Sequence, residues 1–179
     1  MLDAAVMADT PSEVTDAFDR VVRERQARIL RTAYRISGDW ADAEDVAQEV
    51  FVRLHRHVGG FPNEAALNGW LYRVTVNLCL DRARSSRPNG SNTVDELPEL
   101  PSQGASPEAA AVREQDKRRL MAALGLLPPR ERAAVVLREI EGLSTAEVAA
   151  ILGSTEGTVR SQISKAVIRL REILTEEKK

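Results

Sequence analysis

Residues 143–171, LSTAEVAAILGSTEGTVRSQISKAVIRLR, constrain the fold more than any other stretch of this chain. They divide into two amphipathic helices around a single glycine. Ser144 precedes Glu147 by three positions, the spacing of a capping box, so the first helix starts there. Val148, Ala149, Ile151 and Leu152 give that helix a small apolar face, and Gly153 breaks the chain. Ser154 or Thr155 can cap the next helix, where Val159, Ile163, Ala166, Val167, Leu170 and Ile173 recur at helical spacing. The other side of the second helix presents Ser161, Ser164 and Lys165, with Arg160 on its flank.

Two amphipathic helices joined by a short glycine-containing turn make a helix-turn-helix pattern. In such a motif the second helix enters the major groove and its N-terminal residues reach base edges. Arginine and lysine there can pair with guanine, and serine with either kind of base or with phosphate. The plainer reading is a helical hairpin with a solvated face. Spacing alone does not separate the two, and the rest of the chain has to.

Upstream, residues 12–37 read as one long helix, with Phe18, Val22, Ile29, Ala33 and Ile36 on its buried side and Gly38-Asp39 ending it. Residues 40–58 form the most regular helix of the first half. Ala43, Val46, Ala47, Val50, Phe51 and Leu54 keep a three-four alternation that predicts a core face. Its acids (Asp42, Glu44, Asp45, Glu49) lie toward the N-terminal end and its bases (Arg53, His55, Arg56, His57) toward the C-terminal end. That order suits the helix dipole, and helix stabilisation is the bland explanation. A sharper one is a polar face of Asp45, Gln48 and Glu49 that docks a basic partner. A metal site is a third option, but no histidine shares that face, since His55 and His57 diverge on a helix.

After the break at Gly59-Gly60-Phe61-Pro62, a helix over 63–86 carries Leu67, Trp70, Leu71, Val74 and Leu78 on its apolar side. Its polar side is basic, with Arg73, Arg82 and Arg84, and Arg87 just beyond. Basic residues near Trp70, Tyr72 and Phe61 could track a nucleic-acid strand and stack its bases, although Trp70 sits on the apolar stripe and reads better as core. Cys79, the single cysteine, cannot form an internal disulfide and reads as a small packed residue.

Residues 88–111 hold four of the chain's eight prolines, several serines and glycines, and four acids. So little apolar content cannot build a core, which predicts an extended or disordered tether. A helix over about 113–127 follows, then a second opened by Pro128-Pro129 and ending before Gly142. With the hairpin this makes four helices, with Leu120, Leu124, Val135, Val136 and Ile140 available to the core. The tail TEEKK is expected to fray. The fold class is therefore all-α: two small helical domains at 12–87 and 113–175, joined by an acidic, flexible linker at 88–112.

A net charge of −2 is not the footprint of an autonomous DNA binder, because nonspecific affinity comes mostly from neutralising phosphates. Either the positive charge is confined to patches or another protein supplies the attraction. No apolar run is long enough for a membrane span, and the acidic N-terminus is not a signal peptide. A reducing cytoplasm is the expected location.

Two segments together resemble a known family. DAEDVAQEVFVRLHRHVGGFPNEAALNGWLYRVTVNLCLDRAR, residues 42–84, resembles region two of bacterial RNA polymerase sigma factors. LPPRERAAVVLREIEGLSTAEVAAILGSTEGTVRSQISKAVIRLR, residues 127–171, resembles their region four. A short tether with no intervening region three is similar to the extracytoplasmic-function class, group four of the sigma-70 family. The resemblance implies that Asp45, Gln48, Glu49 and Arg53 contact the clamp helices of the polymerase beta-prime subunit, and that the beta flap is a second contact on the enzyme. It implies that Phe61, Arg73 and Asn77 serve the promoter minus-ten element, with Asn77 capturing a flipped base. It also implies that Arg160, Ser161, Ser164 and Lys165 read the minus-thirty-five element. An anti-sigma factor is an expected partner; no cofactor, metal or enzymatic activity is expected. The alternative is a stand-alone helix-turn-helix regulator, which leaves the Asp45–Gln48–Glu49 face and Asn77 without a purpose. A nuclease using the acidic cluster lacks convergent ligands and a base.

Overall fold

The computed structural model describes residues 11–57, 60–85 and 107–176. Among them the chain forms α1 (Pro11–Ser37), α2 (Trp40–His55), α3 (Glu64–Ser85), α4 (Pro107–Gly125), α5 (Pro129–Val135), α6 (Thr145–Leu152) and α7 (Glu156–Glu176). A π-helical turn, Val136–Ile140, continues α5. Among the described residues there is no strand and no helix long and apolar enough to cross a membrane.

The first unit is α1, α2 and α3 packed together. Helix α2 buries all six residues of its three-four stripe, Val46 and Val50 completely. Gly38, at φ +80°, turns the chain out of α1, and the Asp39 side chain accepts a bond from the Asp42 amide at 2.9 Å to start α2. Asn63 plays the same part for α3, its Oδ1 lying 2.8 Å from the Ala66 amide.

The second unit is α4 to α7. Helix α4 begins at Pro107, inside the stretch whose proline content reads as tether, because proline is well placed in a first helical turn. The capping box forms as the spacing predicts: the Ser144 side chain receives the Glu147 amide, and the Glu147 carboxylate receives the Ser144 amide at 2.7 Å. Gly153 takes the left-handed conformation, φ +58°, and the Ser154 amide returns to the Ala149 carbonyl at 2.9 Å. Thr155 caps α7 through the Thr158 amide at 3.2 Å. Val159 and Ala166 are buried, and Ile163, Val167 and Leu170 pack beside them. The last helix runs through Thr175 and Glu176, so the expected fraying does not reach them, and 177–179 lie outside the described residues.

Two expected core residues are not core. Leu120 is 39% exposed and Ile140 38%. For Ile140 the cause is the π turn, in which the Glu141 amide bonds to the Val136 carbonyl five residues back and rotates the helix end off the α-helical phase. For Leu120, α4 packs on its neighbours mainly through Ala123 and Leu124, one turn further on.

The two units are not separate. One apolar core runs from Val21 and Ile29 through Leu71 to Val136 and Val159. Helix α3 touches α1 and α2 on one side and α5 and α6 on the other. That contact explains why its buried set includes Tyr72, Thr75, Val76, Cys79 and Leu80, a wider arc than a one-sided stripe. Cys79 is 2% exposed, and burial pushes its thiol up to about 12, which makes it a packed and unreactive group.

Candidate nucleic-acid and partner-binding surfaces

Helix α2 turns its apolar stripe inward, so its polar residues face out by geometry alone. Asp45, Gln48, Glu49 and Arg53 come together on one face. With Val52 of α2 and Leu78 and Arg82 of α3 they line an open depression of about 470 Å³. Arg53 Nε donates to Glu49 Oε1 at 2.7 Å, a surface pair one turn apart. Arg82 lies 3.6 Å from the Asp45 carboxylate and donates to the Asp42 carbonyl at 2.6 Å. Asp45 remains 67% exposed despite that neighbour, so its charge is available to a partner. Such exposed pairs contribute little to stability and can exchange partners. No metal-holding group of histidine, cysteine or acidic residues occurs among the described residues.

On the adjoining flank of α2, a groove of about 730 Å³ separates it from α1, lined by Phe18, Val22, Leu30, Phe51 and Val52. Gln48 borders both hollows. Periodicity could not reveal this groove, since Phe18 and Phe51 both count as core by sequence and are only partly covered or just buried.

Phe61 and Arg73 line one cleft of about 560 Å³ together with Trp70. Phe61 packs against Trp70 with ring centroids 5.5 Å apart, and His57 meets the same indole at 5.5 Å. Trp70 is thus partly buried and belongs to the core edge. Asn77, one turn beyond Arg73 on α3, is exposed and is not part of that cleft. The cleft's far wall is the second unit: Leu143, Glu147, Ala150 and Ile151. Arg73 donates to the Ala150 carbonyl at 3.1 Å.

Arg160, Ser161, Ser164 and Lys165 are all exposed on α7, opposite buried Val159 and Ala166. Arg160 is held by Glu156 at 3.0 Å, one turn earlier. This is the second helix of the helix-turn-helix, with its polar N-terminal half open to solvent.

Two residues that join the units, Glu141 and Arg132, escaped the sequence reading. Glu141 follows the π turn, and its side chain is 4% exposed. Arg28 Nε and the Tyr72 hydroxyl each lie 3.0 Å from its Oε2. Arg35 lies 3.0 Å and the Thr32 hydroxyl 2.8 Å from its Oε1. Burial pushes this carboxyl's pKa up, but the bonds from Thr32, Arg28 and Tyr72 and the charge of Arg35 outweigh it, and the net shift is downward. The Tyr72 phenol is pushed upward, first by burial and then by the Glu141 charge, so it stays a donor. Arg132, 8% exposed, donates to the Ile36 carbonyl at 3.0 Å, to Ser37 at 3.3 Å, to Leu127 at 3.2 Å and to Gly125. One guanidinium therefore caps the C-terminal ends of both α1 and α4.

These features define a two-part helical protein with a helix-turn-helix in its second part and an exposed acidic face in its first. Comparison with known proteins gives the family. Sigma-70 region 2 matches residues 21–88, and Sigma-70, region 4 matches residues 117–170. The ECF RNA polymerase sigma factor SigM of Mycobacterium tuberculosis is 33% identical over 172 residues, 96% of this chain and 84% of that protein. The ECF RNA polymerase sigma factor SigE of Mycolicibacterium smegmatis is 42% identical over 162 residues, but the chain spans only 62% of its length. Among solved structures, CnrH in complex with the cytosolic domain of CnrY shares the fold at a TM-score of 0.68 and 24% identity, over 98% of this chain and 99% of that one. The sigma factor RpoE of Bartonella quintana, solved with the anti-sigma factor NepR, shares it at 0.68 and 23%, over 88% and 96%.

The chain belongs to the extracytoplasmic-function class of sigma-70-type RNA polymerase sigma factors. Members of that family are non-catalytic subunits that bind core RNA polymerase and direct initiation at promoters.

Proposed function

We propose that the exposed face of α2 docks the beta-prime clamp helices of core polymerase through Asp45, Gln48, Glu49 and Arg53. One observation carries this: four polar side chains gather around a shallow depression while the apolar stripe of the same helix is buried. The carboxylates are solvent-exposed and their ion pairs lie at the surface, which suits exchange for the basic residues of a partner. Phe61, Arg73 and Asn77 serve the minus-ten element, and Arg160, Ser161, Ser164 and Lys165 the minus-thirty-five element. The beta flap contacts the second unit.

An acidic chain can serve promoter DNA in this way because polymerase supplies most of the phosphate contacts and holds both reading surfaces on one duplex. The second contact then becomes effectively intramolecular. Extruding a base costs a few kcal/mol, which one small domain cannot recover from ~1–3 kcal/mol of stacking on its own. An anti-sigma factor is the expected regulator, as NepR is for RpoE, and the chain works in the cytoplasm, where polymerase is.

The test is co-elution of the purified chain with bacterial core RNA polymerase, followed by transcription from a randomised promoter library. Asp45→Lys with Glu49→Lys should abolish co-elution and leave helical content unchanged. A double variant that co-elutes like the wild type would remove the docking role from this face.

A further inference from the structure

The exposed N-terminal half of α7 carries an acid, Glu156, among the residues proposed to read DNA. Glu156 is the first residue of the helix, and its carboxylate Oε2 accepts a hydrogen bond from Arg160 Nη2 at 3.0 Å. Both side chains stand in solvent, Glu156 at 49% and Arg160 at 66% exposure. With Ser164, also exposed, they follow one another at four-residue intervals, so all three lie along one edge of the helix. The plain role for an acid in the first turn is to suit the helix dipole. Thr155 already caps this end, its Oγ1 receiving the Thr158 amide at 3.2 Å. Gly157 has an ordinary helical backbone, and an added Cβ would meet nothing nearer than Thr155 Oγ1 at 3.9 Å, so neither a turn nor packing requires glycine there. A bare backbone at that point lets a partner come close to the Glu156–Arg160 edge.

Under the function proposed above, on which this inference rests, α7 enters the major groove, and a carboxylate there needs a hydrogen-bond donor to face. Phosphates repel it, and the groove edge offers two donors, cytosine N4 and adenine N6. The arginine that Glu156 holds selects between them. In a G·C pair, guanine O6 and cytosine N4 are bonded to each other at about 2.9 Å, an acceptor beside a donor. Arg160 and Glu156 present a donor beside an acceptor at nearly the same spacing, 3.0 Å. The guanidinium has donors left for guanine O6 and N7, and the carboxylate has lone pairs left for the cytosine amine. T·A also sets an acceptor beside a donor, but it puts a methyl group where guanine has N7. A·T and C·G reverse the order, and in C·G the carboxylate faces both guanine acceptors while the guanidinium faces an amine.

We infer that Glu156 and Arg160 act as a couple that reads a single G·C base pair of the minus-thirty-five element, Arg160 over the guanine and Glu156 over the cytosine. Glu156 is then a specificity-determining residue in two ways. It adds a bond to the right pair, and it sets a negative charge against the acceptors of the reversed pair, which rejects C·G by repulsion. Holding Arg160 in one place also keeps that long side chain from swinging to a neighbouring guanine or to a phosphate. The same charge lowers the general attraction of the helix for phosphate, so the residue favours selectivity over affinity.

The experiment uses the full chain with bacterial core RNA polymerase and a promoter library randomised over the minus-thirty-five element, with the transcripts sequenced. The wild type should show one position at which G·C exceeds C·G by roughly 5–150-fold, with T·A second. Glu156→Ala should raise transcription from C·G promoters at that position by about fivefold or more relative to G·C ones, with polymerase co-elution and helical content unchanged. Glu156→Gln, whose amide offers both a donor and an acceptor, should accept either orientation. Arg160→Ala should lose the guanine preference at the same position. A role for Glu156 in helix stability alone would move none of these preferences. Promoter-specific transcription by the wild type, with an unchanged base preference in a folded Glu156→Ala chain, overturns the inference and leaves the proposed function standing. So does a Glu156→Ala change at a position other than the one that Arg160→Ala alters. A wild type that neither co-elutes with polymerase nor gives promoter-specific transcripts overturns the proposed function, and this inference with it.

Discussion

Replacing Arg132 tests whether one guanidinium holds two helix ends. It lies 8% exposed on α5 and donates to four carbonyls, those of Ile36, Ser37, Gly125 and Leu127. Among the described residues no carboxylate pairs with it, so its burial is opposed by desolvation, which also pulls its pKa down. Each hydrogen bond contributes about 0.5–1.5 kcal/mol net. Four of them, less the cost of keeping a cation away from water, leave ~3 kcal/mol for Arg132→Ala. For a chain of this size that corresponds to a fall in Tm of about 6–12 °C. Arg132→Lys should recover about half, since a single ammonium has three donors and no fork to span both helix ends. Urea unfolding with unchanged m-value is the assay. A loss below ~1 kcal/mol for the alanine variant, or full retention by lysine, would refute the capping argument.

Two of the three left-handed glycines, Gly38 and Gly153, should differ. At Gly153 an added Cβ meets nothing within 4 Å, so Gly153→Ala should cost only the backbone strain, about 1 kcal/mol in urea unfolding. At Gly38 the Cβ would lie 3.3 Å from the Arg132 guanidinium, so Gly38→Ala should cost more, about 2 kcal/mol, by disturbing the cap as well; equal costs would separate Gly38 from Arg132. Glu141 titrates below its ordinary value in the folded chain, so its stabilisation is fully present above the usual carboxylate range and is lost as pH falls through the lowered value. Scattering on acidification should show expansion only below that usual range, and Glu141→Gln should lose the dependence. Arg160→Ala and Lys165→Ala should reduce transcription from promoters with an intact minus-thirty-five element by roughly 5–150-fold each, at ~1–3 kcal/mol per lost base contact, and leave polymerase co-elution unchanged. Lost co-elution would place these residues at the polymerase instead.

The helices were legible in the chain because each element of the first half and of the helix-turn-helix carries its own punctuation. The capping box at Ser144, the left-handed glycines at 38 and 153, and the six-residue stripe of α2 are local signals, read within one or two turns. Exposure of Asp45, Gln48 and Glu49 follows from that stripe without further information. The misplaced Ile140 has a local cause too, but one that a 3.6-residue period cannot express: a π turn changes the phase at a point where no residue type announces it.

The junction between the units was not legible, for a different reason. Glu141 sits beside Gly142 at a helix end and looks like an ordinary solvated acid; its four donors lie 69 to 113 positions away. Arg28 and Arg35 are two arginines among many on α1, and nothing local distinguishes them from the exposed ones. A charge is recognisable as buried only when its partners are known, and those partners are set by how α1 and α3 pack against the π turn. The breadth of α3 was the one available clue. Tyr72, Val76 and Leu80 repeat every four residues on a flank that a one-sided helix would have left polar, and they are buried in the structure. An extra apolar row of this kind on a helix already assigned to a core requires a second surface to cover it. Here that surface is the neighbouring unit, and the same row that closes the molecule ends at the tyrosine that binds Glu141.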